Sequence, residues 1–191
     1  MDYSAYPYTE DLIKDLKLIK HPEGGYFAET DRQKVEIPSP YADNQLRSLA
    51  TSIFYLLTYD ESHGYIHMNK SVTMHVHHHG RAEYTLITPS ASGPPLIERA
   101  VIGPNVAAGE QRQLLVGTGV WKMSRLLPAD TAPGVAEDAK MRTGCLITEV
   151  VVPGFHWEDH KYLTRKELEA LFESVEGGKE RVRELEAFVK G

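Results

Sequence analysis

The 191-residue chain holds one cysteine, Cys145, so no disulfide can form within it, as suits a reducing compartment. No apolar run approaches the roughly 18 residues of a membrane span, and the first residues lack the basic-then-apolar pattern of a secretory leader. Basic residues are in the minority: 21 Lys and Arg against 27 Asp and Glu give a net charge of −6. That balance argues against nucleic acid or an acidic membrane surface as the main partner. Also missing are a Gly-rich phosphate loop, a Rossmann fingerprint and the Ser-His-Asp order of a hydrolase. What is left is a globular chain of single-domain length, with the cytosol as its default location.

Short strand-like runs dominate its middle. Thr73–His77, Tyr84–Thr88, Leu96–Ile102, Gln113–Val116, Val120–Leu126 and Leu146–Val152 are separated by Gly- and Pro-bearing turns, a pattern of all-β sandwiches and barrels. Ahead of them, Tyr26–Thr30 and the β-branched, aromatic stretch Leu49–Thr58 read as further strands, and 33–46 as a long exposed loop. Thr9–Lys20 reads as a helix opened by a Thr9 cap, with Leu12, Leu16 and Ile19 on one face. Pro128–Lys140 reads as a polar, mobile insert. At the end, the capping box Thr164-Arg-Lys-Glu167 opens a helix to about Val175, and Lys179–Lys190 forms a second, charged helix with a solvated or dimer-covering surface.

Five of the nine histidines fall between His67 and Gly80. Imidazole titrates near neutrality, so such a cluster points to proton transfer or to a metal. Strand alternation puts Thr73, His75 and His77 on one inward face, while His78 and His79 fall at the surface near a turn. The plainer reading of His75 and His77 is a polar interior satisfied by hydrogen bonds. Glu23 lies in a turn and Glu29 within a strand, which makes Glu29 the better carboxylate to orient an active histidine. Tyr26, Tyr55, Tyr84 and Trp121 suit core packing or the aromatic wall of a pocket. Arg47 and Arg81 read as structural partners of acids, and Cys145 as a buried, inert thiol.

Five blocks carry a resemblance. His21-Pro-Glu-Gly-Gly-Tyr-Phe-Ala-Glu-Thr-Asp-Arg32, Thr51–Leu57, His67-x-Asn-Lys-Ser-x-Thr-x-His75, Gly80-Arg-x-x-Tyr84 and Val151-Val-Pro-Gly-Phe155 resemble, in order, a poorly characterised family of small single-domain cupins of bacteria and fungi. The likeness runs from Thr9 to Leu163. It implies a double-stranded β-helix, a homodimer and a pocket open at one end, with metal-free sugar-nucleotide epimerases as the nearest functional analogy. Cupins hold a divalent metal through H-x-H, a following Glu, and a His from a second motif. One register takes His75, His77 and Glu83 for the first motif. The other, which fits the spacing without adjustment, takes His67, Asn69 and Thr73, with Lys122 where the last histidine belongs. There only His67 survives, and a lysine opposes a cation.

The resulting expectation is a cupin with a short N-terminal helix, a β-helix over about 21–163 and a helical tail over 164–191. It binds a small, polar or oxygenated organic substrate and performs on it metal-independent acid–base chemistry of the isomerase, epimerase, dehydratase or cyclase type, with no cofactor. His75 is the first choice as base, with His67, His77, Glu29 and Tyr84 beside it; Tyr26, Trp121, Lys122, Asn69 and Glu23 contact the substrate. The rival readings are a metal-dependent oxygenase or hydrolase using His67, His75 and His77, and a non-catalytic binding protein.

Overall fold

The computed structural model of the protein describes residues 3–191. From the N-terminus the chain forms α1 (Thr9–Asp15), β1 (Ile19–Lys20), β2 (Tyr26–Arg32), β3 (Glu36–Pro38), β4 (Leu46–Ser48), β5 (Thr51–Thr58), β6 (His67–Asn69) and β7 (Val72–Gly80). It continues through β8 (Ala82–Thr88), β9 (Leu96–Ile102), β10 (Gln113–Val116), β11 (Trp121–Leu126), α2 (Glu137–Arg142), β12 (Gly144–Val152) and β13 (His160–Tyr162) to α3 (Arg165–Phe172) and α4 (Gly178–Leu185). The expected double-stranded β-helix is present as two facing sheets. One has the strand order β1-β2-β5-β12-β7-β10, the other β13-β6-β11-β8-β9, and β3 and β4 pair as a separate ribbon.

Alternation along the strands decides what the sheets enclose. Leu57, Tyr84, Leu86, Ile102, Leu114, Val116, Cys145 and Ile147 meet between the sheets as an apolar layer. Further along the same strands the inward positions become polar, because Glu149 stands two residues beyond Ile147, and His75 and Thr73 precede His77. Antiparallel pairing of β12 with β7 sets Glu149 opposite His75 and Ile147 opposite His77, so the two histidines lie in different layers.

Several local expectations are corrected. The first helix stops at Asp15, Lys17 takes a positive φ of 54°, and Ile19–Lys20 joins the sheet. Tyr8 occupies the N-cap position without a side-chain capping bond, while the Thr9 hydroxyl donates to the Met141 carbonyl. The segment 33–46 holds β3 and leads into β4, with which β3 pairs as a ribbon, and the insert before β12 contains α2. Strands β6 and β13, three residues each, are too short to give a periodic signal. The Thr164–Glu167 capping box is formed as expected. The tail is docked on the barrel through one side, where Leu168, Phe172, Val182 and Leu185 bury themselves against Ile66, Trp121, Met123 and Leu163, while its charged side is solvated as expected.

Candidate functional site

Two polar clusters occupy the interior beside the apolar layer. The first is built by β7, β11 and β12. Lys122 Nζ, 2% exposed, lies 2.5 Å from Glu149 Oε1, 3.1 Å from His75 Nε2 and 3.4 Å from Thr73 Oγ1. His75 Nε2 is also 3.3 Å from Glu149 Oε2, so this nitrogen stands between the ammonium and the carboxylate. Burial opposes an ionised Glu149, but Lys122 and then His75 outweigh it and hold the carboxyl well below its usual range. Burial, reinforced by Lys122, pushes the His75 imidazole down.

The second cluster joins Glu23, His67 and His160. Glu23 is placed by a tight loop in which His21 N–H donates to Gly25 O and Gly24 N–H to His21 O. Gly24 and Gly25 have φ of +96° and +71°, and an added Cβ would come 2.4 Å from His63 O or 2.6 Å from Leu56 O, so only glycine fits. His67 and His160 come from neighbouring strands, with His160 opposite Asn69 in the register. Their rings stack at 5.4 Å. The turn ahead of His160 is fixed by Arg47, whose guanidinium grips both Asp159 oxygens at 2.6 and 3.2 Å. Glu23 Oε2 lies 3.2 Å from His67 Nε2, and Glu23 Oε1 lies 2.7 Å from His160 Nε2. Both contacts are close but poorly aligned for hydrogen bonds, and the two Nε2 atoms and Asn69 Oδ1 are buried without a hydrogen-bond partner. Each such atom costs about 1–3 kcal/mol if nothing else meets it.

Glu23, Asn69 and Glu149 open onto a cavity of about 140 Å³, walled by His21, Phe27, Ile53, Phe155 and Trp157. An apolar cavity of about 150 Å³ is known to admit a benzene ring, so this one has room on the scale of a single ring. Arg32 and Glu29 stand on its rim, joined by two hydrogen bonds of 3.1 and 2.6 Å. Larger depressions, of 660 and 600 Å³, lie along α3 and α4 and contain no imidazole.

Of the residues singled out in the sequence, His67, His75, Lys122, Asn69 and Glu23 come together here. His77 does not: its Nδ1 meets Arg112 at 2.9 Å and its Nε2 the Gly80 carbonyl at 2.8 Å. The trio His67, His75 and His77 is therefore not assembled. Glu29 is exposed and paired with Arg32, and the carboxylate beside the imidazoles is Glu23. Tyr26 turns outward to pack with Leu18, Leu56 and α1, leaving its neighbour Phe27 to face the cavity. Trp121 likewise lies outside, under the C-terminal helices. Tyr84 is buried with its ring edge-on to His75 at 5.1 Å, and burial first of all drives its hydroxyl pKa far up. The sequence reading missed Glu149, His160 and His21. Glu149 had a signal, a lone charge at an inward position of an otherwise apolar alternation; His160 had none, since its strand is three residues long.

The cupin registers can now be tested. Glu83 is paired with Arg125 at 2.7 Å and partly exposed, away from both clusters, so the first register fails. In the second, Lys122 stands opposite His67 in the strand register and contacts Thr73. The four positions cluster, but an amide, a hydroxyl and a lysine engaged with a carboxylate do not suit a divalent ion. The metal site implied by the fold does not fit these residues.

Facing antiparallel sheets around a polar, imidazole-bearing interior are the architecture of a cupin. The family described as cupin superfamily (DUF985) matches residues 10–163, and the chain belongs to it. The chain is similar to the uncharacterized protein YML079W of Saccharomyces cerevisiae, at 38% identity over 162 residues, covering 81% of this chain and 74% of the yeast protein. Two solved structures share the fold. A hypothetical protein from Leishmania major has a TM-score of 0.78 at 22% identity, covering 97% of this chain and all of that one (100%). Protein SO0799 from Shewanella oneidensis has a TM-score of 0.73 at 23% identity, covering 96% and 98%.

Proposed function

We propose that the protein binds a small oxygenated organic molecule in the 140 Å³ cavity and moves a proton on it, in a reaction of the isomerase, epimerase or lyase type. The observation that carries this reading is the placement of Glu149, a carboxylate on the cavity wall backed by a buried ammonium and a buried imidazole. Glu149 is the group that meets the ligand; Lys122 and His75 act through it as positioning residues. Held this far down, Glu149 is a weak base in the free protein. A ligand seated against Glu149 excludes water from the carboxylate, and this added desolvation returns proton affinity to Glu149 as the reacting group arrives. Phe27, Phe155 and Trp157 supply an aromatic wall for the rest of the ligand. The same reading takes the protein as a cytosolic homodimer, which sedimentation and fractionation test. Among the described residues no helix is long and apolar enough to cross a membrane.

The test is proton exchange. Sugar nucleotides, hydroxy acids, keto acids and phenolic acids are first screened for thermal stabilisation, and the binders are then incubated in D₂O with the protein. Deuterium incorporation that falls about 10²-fold or more in Glu149→Gln, with binding retained, supports the reading. Binding without exchange would make the protein a non-catalytic ligand carrier, and exchange unaffected by Glu149→Gln would remove Glu149 from the chemistry.

A further inference from the structure

We propose that Glu23, His67 and His160 bind a divalent first-row transition ion, at a site that keeps His67 of the four positions cupins use and takes its other two ligands from outside them. The three side chains each offer one ligand atom, and these atoms lie within 4.8 Å of one another. Neighbouring ligands around a tetrahedral ion with bonds of about 2.1 Å are roughly 3.4 Å apart, so a small closing of side-chain ends completes the site.

Hydrogen-bond direction argues for a cation here. His67 Nδ1 is 2.8 Å from the Tyr65 carbonyl, which only accepts, so the ring proton sits on Nδ1. Nε2 then presents a lone pair, and what it faces at 3.2 Å is a carboxylate oxygen of Glu23. An acceptor opposed to an acceptor in a buried place needs a positive charge between them. An added proton bridges one such pair only, whereas a metal ion serves both imidazoles that converge on Glu23.

The surroundings are those of a metal site. A histidine ligand characteristically donates its other ring N–H to a backbone carbonyl, as His67 does to Tyr65. Asn69 Oδ1, buried and unpartnered, lies beside the three, and with Glu23 it lines the cavity, so the site opens to a ligand. The opposing charge of Lys122 is met by Glu149 at 2.5 Å. Two imidazole nitrogens and one carboxylate oxygen suit zinc, iron, manganese or cobalt rather than calcium or magnesium.

The full chain is stripped with EDTA and titrated with Zn²⁺ and Co²⁺. Expected are one ion per chain by elemental analysis, a raised Tm, and loss of affinity by about 100-fold or more in His67→Gln and His160→Gln, with His77→Gln unchanged. Pulsed EPR on the Cu²⁺-loaded wild-type chain supplies a readout that needs no variant: coupling to two imidazole nitrogens is expected. Sub-stoichiometric uptake at micromolar ion, a spectrum without imidazole nitrogen, or affinity that follows His77 instead of His160 would overturn the site. None of these outcomes bears on proton exchange by Glu149, so the two proposals fail separately.

Discussion

Lys122 and Glu149 form an ion pair between the two sheets, with Nζ and Oε1 2.5 Å apart and both side chains buried. Each is stable inside the protein because the other is there. Removing one partner strands a charge, whereas replacing both with apolar residues of similar size does not. Lys122→Met should therefore lower stability by about 3–5 kcal/mol, and the double variant Lys122→Met/Glu149→Leu should recover most of that loss. Urea denaturation of the four proteins checks it; two losses that simply add would mean the pair is not coupled.

Stability should fall as the solution is acidified from neutrality. In the unfolded chain His75 titrates near 6.5, while in the folded protein burial and Lys122 keep it neutral to lower pH. His79, pushed down to about 4 chiefly by burial, behaves alike. Below pH 6.5 the unfolded state thus takes up protons that the folded state refuses, and folding weakens. Below 4.5 the depressed Glu149 extends the loss in the same direction. Denaturation midpoints should drop from about pH 7.5 to about pH 5, less steeply in His75→Gln; a midpoint that rises on acidification would contradict the assignment.

The C-terminal helices should behave as part of the core. Phe172, 3% exposed, packs with Leu168 and Leu185 against Ile66 and Trp121. Phe172→Ala should cost about 3–5 kcal/mol, and truncation after Leu163 should shift the fluorescence of Trp121 to the red as its cover is lost. A truncated chain with native stability and altered association would show instead that the tail serves only assembly.

Cys145 should be chemically silent. Burial raises its thiol to about 12, and it sits within the apolar layer between the sheets. Native protein should show no reaction with a thiol reagent at pH 8 on the timescale in which urea-unfolded protein reacts completely.

The all-β class, the strand cores and the capping box at Thr164 were legible because each depends on neighbours a few residues apart. Leu96–Ile102 and Gln113–Val116 end where the pattern of Gly, Pro and alternation ends them. The inward face of Thr73, His75 and His77 was likewise readable, since alternation is a local rule. The depth of each residue along that face was not. His77 falls level with Ile147 because of the β7–β12 register, and sequence spacing carries no information about which residue of a distant strand lies opposite. Tyr26 and Phe27 show a similar limit: one of the two had to face inward, and packing of Tyr26 with α1 chose Phe27.

By itself the sequence determined which residue types were at hand: imidazoles on alternating strand positions, glycines where the His21–Tyr26 loop needs them, and a lysine where a cupin would place a histidine. Only the tertiary structure decided their company. Lys122 is matched with Glu149, 27 residues away, and Glu23 with His160 across most of the chain. Local propensity acts through backbone geometry over a few residues, whereas partners inside a sandwich are set by sheet register and burial, which arise only once the distant strands have paired.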